Sequence, residues 1–162
     1  MRLKTVALTL VAVLFCLKVS GGELEAMQTL SEATTEKLCE ITYRGKKEAI
    51  VPFTATAYSL SSVEKSEVIN LIEMQVANGC SLEAADSEGT SALNVAILKG
   101  EPELLDHLLK MGADPMLKIR SKRRWANGLN SYEFAALLYK HESSDRRRGV
   151  VRTLDEYQRH NN

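Results

Sequence analysis

The sequence predicts an all-α chain, an α-solenoid in which short helices pair by helix–turn–helix and about three such pairs stack side by side. Three observations lead there. Gly79 and Gly112 each close an apolar helical stretch and stand 33 residues apart, and self-similarity at a fixed period of this size marks stacked repeats. Leu93, Ala96 and Ile97 fall at i, i+3 and i+4, one face of a helix, while Leu104, Leu105, Leu108 and Leu109 draw a second apolar stripe a few residues on. Composition is that of a folded chain, with 44% hydrophobic and 26% charged residues over 162 positions, enough for one domain with a modest core.

The chain opens on "MRLK", basic through Arg2 and Lys4, followed by a 13-residue apolar run from Thr5 to Leu17 and small residues at Ser20, Gly21 and Gly22. This is the layout of a secretory signal peptide over residues 1–21, cleaved after Gly21 with Val19 and Gly21 at the recognised positions. The run is short of the ~20 residues that span a bilayer. Cys16 raises a lipid anchor as the lesser alternative, but Phe15 stands where lipoprotein signals carry a small residue. Residues 22–162 then form one domain exported to the periplasm. Its first element is a helix over residues 23–38 that caps the N-terminal end. "ITYRGKKEAIV" reads as a hairpin turning at Gly45. A degenerate unit occupies about residues 40–78. "VPFTATAY" resembles a T-P-L-H-x-A pattern in part through Pro52, Phe53 and Ala57, Ser61 and Glu64 offer a capping box, and Val68, Leu71, Ile72 and Val76 give a second helix an apolar face that Gln75 interrupts.

The best-formed unit spans residues 79–115. Gly89 lies in the turn before its first helix, where a residue without Cβ suits a tight backbone. Ser91 is placed to accept hydrogen bonds from the first free N–H groups. Ala96 is small where two helices approach closely. Gly100 stops the first helix, Pro102 fits the opening turn of the second, and Gly112 ends it. Ser91, Ala92, Leu93, Asn94 and Ala96 occupy the slots of a T-P-L-H-x-A motif, and with Gly100, Leu108, Leu109 and the Gly112-Ala113-Asp114 ending the segment resembles an ankyrin repeat. It departs in having Ser-Ala for Thr-Pro and Asn94 for the usual His, which weakens the local cap and hydrogen bonds while keeping the spacing. The C-terminal unit, residues 116–162, aligns again. Gly128 follows Gly89, and Ala135 follows Ala96, at an offset of 39 rather than 33, so six residues are inserted within "MLKIRSKRRWANG". Leu117 and Ile119 alternate with Lys118 and Arg120, which reads as the outgoing strand of an enlarged β-hairpin finger with Trp125 on its return. A last helix with Val150, Val151 and Leu154 turned inward closes the stack.

Charge is strongly polarised. Residues 22–117 carry 7 basic and 16 acidic side chains, whereas residues 118–152 carry 10 basic and 3 acidic. Loss of Cys16 with the signal leaves Cys39 and Cys80, which either form one disulfide, suited to an exported protein, or remain two buried thiols.

Nothing in the sequence marks catalysis. His107, His141 and His160 read as solvated surface histidines without partners at metal-ligand spacing, and no nucleophile elbow, phosphate loop or metalloprotease motif occurs. The chain is therefore read as a non-enzymatic interaction module with no cofactor and no metal. The ankyrin resemblance implies a concave protein-binding face, which by position takes in Thr90, Val95, Leu98 and Lys99. The basic finger is the second candidate, with Arg120, Lys122, Arg123 and Arg124 around Trp125, the one tryptophan; Arg and Trp are favoured at binding hot spots, and the competing readings of these charges are a solvated loop or pairing with the chain's own acidic N-terminal half. Arg146–Arg148 either extends that patch or opposes the dipole of the helix it starts. The implied partner is a protein. Small exported ankyrin proteins of this build resemble periplasmic immunity proteins, which would make it an acidic-surfaced secreted antibacterial enzyme. The alternatives are an envelope-stress or peroxide-defence accessory factor and a binder of anionic membrane surfaces. Nucleic acid is not expected of an exported, net acidic chain.

Overall fold

A computed structural model describes residues 21–161. Apart from Gly21, the expected signal peptide, with Cys16, lies outside the described residues. Helix makes up 57% of the described residues, in seven helices, against a single two-stranded antiparallel sheet among them. The elements are α1 (Gly21–Thr35), β1 (Glu40–Tyr43), β2 (Lys46–Ala49), α2 (Ile50–Ala57), α3 (Lys65–Ala77), α4 (Ala92–Lys99), α5 (Pro102–Lys110), α6 (Ser131–His141) and α7 (Asp145–Asn161).

Local chemistry accounts for most boundaries. β1 and β2 are joined by Arg44-Gly45, with φ of 49° and 78°. Two left-handed central residues are what a two-residue hairpin turn needs to match strand twist, and Tyr43 faces Lys46 across it. α4 begins at Ser91, whose hydroxyl accepts the Asn94 N–H at a long 3.5 Å, and stops at Gly100 in the left-handed region. Pro102 opens α5, and Leu104, Leu105, Leu108 and Leu109 of that helix are all buried. Fully burying one such side chain stabilises by about 2 kcal/mol. α6 has a complete capping box, with the Asn130 side chain accepting from the Glu133 N–H and the Glu133 carboxylate accepting from the Asn130 N–H. The expected box at Ser61 and Glu64 does not form. α3 starts later, with Glu64 as an N-cap that makes no side-chain bond, because Leu60 and Val63 turn in to pack on the core. Ser62 instead donates to Glu23 of α1 at 2.6 Å.

The pairs α2–α3, α4–α5 and α6–α7 each pack within themselves; α2 packs on α4, α4 on α6, and α5 on α7. α1 lies against α2 and α3. Buried Leu30, Ile50, Ile72, Leu93, Ile97, Leu105 and Leu154 join these elements in one core. Gln75, which breaks the apolar face of α3, is itself buried. Its Nε2 donates to Thr34 Oγ1 at 3.0 Å and Thr54 Oγ1 at 2.8 Å, so α1, α2 and α3 meet at one amide. Both threonine hydroxyls are already committed as donors to the carbonyls of Leu30 and Ile50, which is why a donor is needed there. Gln75 Oε1 has no hydrogen-bond partner among the described residues.

The 33-residue period reappears in the backbone. After α3, the N–H groups of Asn78, Gly79 and Cys80 donate to the carbonyls of Met74, Val76 and Gln75; after α5, those of Met111, Gly112 and Ala113 donate to His107, Leu109 and Leu108, every partner 33 residues on. Gly79 and Gly112 share φ of 97°. This is one helix ending used twice, in which a glycine adopts the left-handed conformation and the residue after it closes the last turn. Cys80, next to the first of these glycines, is joined to Cys39 at the foot of the hairpin, and the bridge spans 41 positions.

Candidate functional site: a basic loop held against an acidic turn

The connection between α5 and α6 carries the basic cluster. It is not a strand-paired hairpin, because Leu117–Arg120 forms no strand. Two backbone bonds close its base instead: the Ile119 N–H donates to Leu129 O at 2.9 Å, and the Gly128 N–H donates to Ile119 O at 2.8 Å. The same two bonds occur in the connection before α4, from the Asp86 N–H to Thr90 O and from the Gly89 N–H to Asp86 O. The partners on the outgoing arm are offset by 33 and those on the returning arm by 39. The six inserted residues therefore sit between Ile119 and Gly128. There they fold on themselves. The Ala126 and Asn127 N–H groups donate to Arg123 O, the Ser121 N–H to Asn127 Oδ1, and the Arg123 N–H to Ser121 Oγ. Ladder pairing fails because the tip satisfies its own backbone.

Three contacts fix this loop to the body. Gly89 lies so close under it that a Cβ would fall 2.0 Å from Arg120 O. Trp125, 49% exposed, stacks on Phe134 of α6 with ring centroids 5.9 Å apart. Arg123 pairs with Glu88 in the turn before α4 at 3.4 Å. Lys118, Arg120, Lys122 and Arg124 are exposed, and no carboxylate among the described residues lies within 4 Å of them. Below, a cavity of about 330 Å³ opens between the two connections, lined by Ala85, Gly89, Leu117 and Ile119, with Glu83 and Lys118 at its edge.

The turn before α4 is built on Asp86, whose Oδ1 accepts from the N–H groups of Glu88 and Thr90 at 3.0 and 2.8 Å. Partial burial pushes the Asp86 carboxyl above its ordinary range; those two N–H groups oppose the shift, and nearby Glu48 and Glu88 add to it.

The inner-helix candidates do not gather at this site. Thr90 is half-buried and tied into the Asp86 turn. Val95 is only 4% exposed, a core side chain rather than a contact residue, because α2 and α6 cover α4 from both sides. Leu98 is half-buried against the core, and Lys99 is exposed, but both belong to the far end of an eight-residue helix, about 12 Å from its start.

Asn94 does more than its departure from the repeat motif suggested. Buried, it donates to Ser91 Oγ at 3.1 Å and accepts from Ser131 Oγ at 3.1 Å, tying α4 to α6. The arginines at 146–148 do not extend the basic patch. Arg147 donates to Ile97 O at 2.7 Å, and Arg146 to Gly100 O at 3.1 Å, so both cover the carbonyl end of α4, where cations are favoured. Arg146 and Lys65 also hold the buried Glu101 carboxylate, and Arg148 pairs with Asp145. His107 is not simply solvated: its Nε2 lies 3.0 Å from Glu73 Oε1, out of line for a hydrogen bond.

The Arg123–Glu88 pair follows the reading in which the finger meets the chain's own acidic half, although the sequence did not single out Glu88. Opposite charges at the tips of successive units were the available signal. No group of three His, Cys, Asp or Glu side chains able to hold a metal occurs among the described residues, and none of their helices is long and apolar enough to cross a membrane. Comparison with protein-family models, with curated proteins and with solved structures finds no match for this chain.

Proposed function

We propose that this chain is an exported, non-enzymatic protein-binding module, an ankyrin-like stack of about three units behind a capping N-terminal helix, which acts in the periplasm after loss of residues 1–21. In its sharper form the partner is a secreted antibacterial enzyme with an acidic cleft, which would make the chain an immunity protein. Support for the ankyrin-like architecture comes from the helix endings at Gly79 and Gly112, the paired backbone bonds at the base of each connection, and the order in which α2, α4 and α6 pack. The observation that carries the binding reading is the loop at residues 119–128. It is anchored at its base and through Trp125, yet it displays Arg120, Lys122 and Arg124 with no carboxylate within 4 Å among the described residues. Cations held in place and left unpaired steer an acidic partner and fix its register.

The test is a pull-down from periplasmic extract with the tagged chain and with K122E/R124E. A single acidic partner, identified by mass spectrometry and lost with the double reversal while the unfolding midpoint is unchanged, is the expected result. Equal recovery by both chains would overturn the reading. A second reading, attachment to an anionic membrane surface, is favoured by Met116, Leu117 and Trp125, which are 60, 41 and 49% exposed on the same connection. It requires sedimentation with phosphatidylglycerol vesicles that collapses with salt.

A further inference from the structure

The basic loop has a neighbour the charge distribution along the sequence conceals. The hairpin tip is also cationic, with Arg44, Lys46 and Lys47 exposed and no carboxylate within 4 Å among the described residues. These residues lie in the half of the chain that is acidic overall. The tertiary structure joins the second strand of the hairpin and the basic loop to one dipeptide. Glu48, beside Lys47 on β2, accepts from the Ser87 N–H at 2.7 Å and from the Ser87 hydroxyl at 2.6 Å. The next residue, Glu88, takes Arg123 from the other side. Hairpin, acidic turn and basic loop therefore follow one another along a single edge. That edge holds eight cations (Arg44, Lys46, Lys47, Lys118, Arg120, Lys122, Arg123 and Arg124) against Glu48, Glu83, Asp86 and Glu88, while the rest of residues 22–162 holds ten cations against seventeen carboxylates.

We propose that the binding surface is bipartite, formed by the hairpin tip and the basic loop on either side of Ser87-Glu88, and that it takes an extended acidic segment of a partner polypeptide. This rests on the protein-binding reading above and extends it to a second contact. Charge complementarity selects a polyanion, and the saddle selects its kind. Asp86 and Glu88 stand between the two cationic tips, and all three elements share one edge. A flat anionic bilayer pressed onto that edge meets the saddle carboxylates as well as the cations. A polypeptide places carboxylates on each tip and sets a neutral or donor side chain over the saddle. The cavity lined by Ala85, Gly89, Leu117 and Ile119 gives such a side chain room beside the Glu83 carboxylate.

The probe is a labelled oligo-glutamate peptide titrated at low and moderate salt into the chain, K46E/K47E, K122E/R124E, and the off-edge control K140E/R152E. Unfolding midpoints are measured for all four. The expected result is salt-sensitive binding that each edge reversal weakens about tenfold, the effect of about 1.4 kcal/mol from two lost charge contacts, with the control unchanged. Weakening by K122E/R124E alone overturns the bipartite surface and leaves the loop-centred function standing. Peptide binding that no reversal alters removes both. Equal weakening by all three reversals overturns the surface in favour of diffuse attraction, and binding to phosphatidylglycerol vesicles without binding to the peptide overturns it in favour of lipid. Should K46E/K47E unfold the hairpin, K46Q/K47Q serves in its place and is expected to weaken binding by about threefold.

Discussion

The connections before α4 and before α6 close in the same way and are secured differently. Both use one pair of backbone bonds and a left-handed glycine, Gly89 at φ 81° and Gly128 at φ 85°. The first is short, begins at a disulfide cysteine, and turns on Asp86. The second has Ala113 where the first has Cys80 and Ile119 where the first has Asp86, and it carries six more residues. It is secured by Trp125 on Phe134 and by the Asn130–Glu133 box. The bases of the two connections are bonded alike, while one tip is acidic and tight and the other basic and long.

Removing the Cys39–Cys80 bridge has the largest expected effect. C39S/C80S is expected to lose about 4 kcal/mol on the chain-entropy estimate for a loop of this size, read as a lower urea midpoint. Hydrogen exchange should quicken in α1 and the hairpin well before the 119–128 loop. Loss spread evenly over both connections would show that the two are not independently secured.

Next come the glycines. Gly89→Ala adds a left-handed alanine and a clash with Arg120 O, and is expected to cost about 3 kcal/mol. Gly128→Ala meets nothing within 4 Å and should cost only the backbone share, about 1 kcal/mol. Equal midpoints for the two variants would mean the loop does not rest on Gly89.

These two glycines also mark how far the sequence was legible. Period and offset located both turns and the six-residue insertion, because glycine in a turn and leucine on a helix face are local signals. The close approach of Gly89 to Arg120 is not local. Nor is the burial of Val95, which depends on α2 and α6 closing over α4. The strand expected at Leu117–Ile119 failed because alternation records which side chains turn inward, and Ile119 does turn inward without a ladder. Among the site residues, the exposed cations and Trp125 were visible as types. Their neighbours Glu88 and the hairpin lysines were not, since charge summed along the chain hides what adjacent tips bring together.

Smaller effects separate the two connections further. Trp125→Ala should lower stability by about 1 kcal/mol through the lost stacking on Phe134, and Asn130→Ala by a similar amount through the lost cap, both read from urea midpoints, with the start of α4 unaffected. Smallest is the pH response of Asp86. Its folded carboxyl titrates above the unfolded value of 3.8, chiefly because of burial. Its contribution is therefore fully present below that value and is lost as pH rises through the folded pKa. Asp86→Asn should flatten this limb, seen as wild type gaining on the variant when stability is measured at progressively more acid pH. A wild type that instead loses ground to the variant on acidification would show the carboxylate to be favoured by folding.

The backbone pair between Ile119 and Gly128–Leu129 has a consequence for how such a chain can diversify. The backbone between those positions bonds chiefly to itself, through Arg123 O, Ser121 Oγ and Asn127 Oδ1, while Trp125 and Ala126 tie it to the body. The exposed side chains of Lys122 and Arg124 are the interchangeable bit in this chuck: rewriting them leaves Trp125, Ala126 and every rod behind them in place.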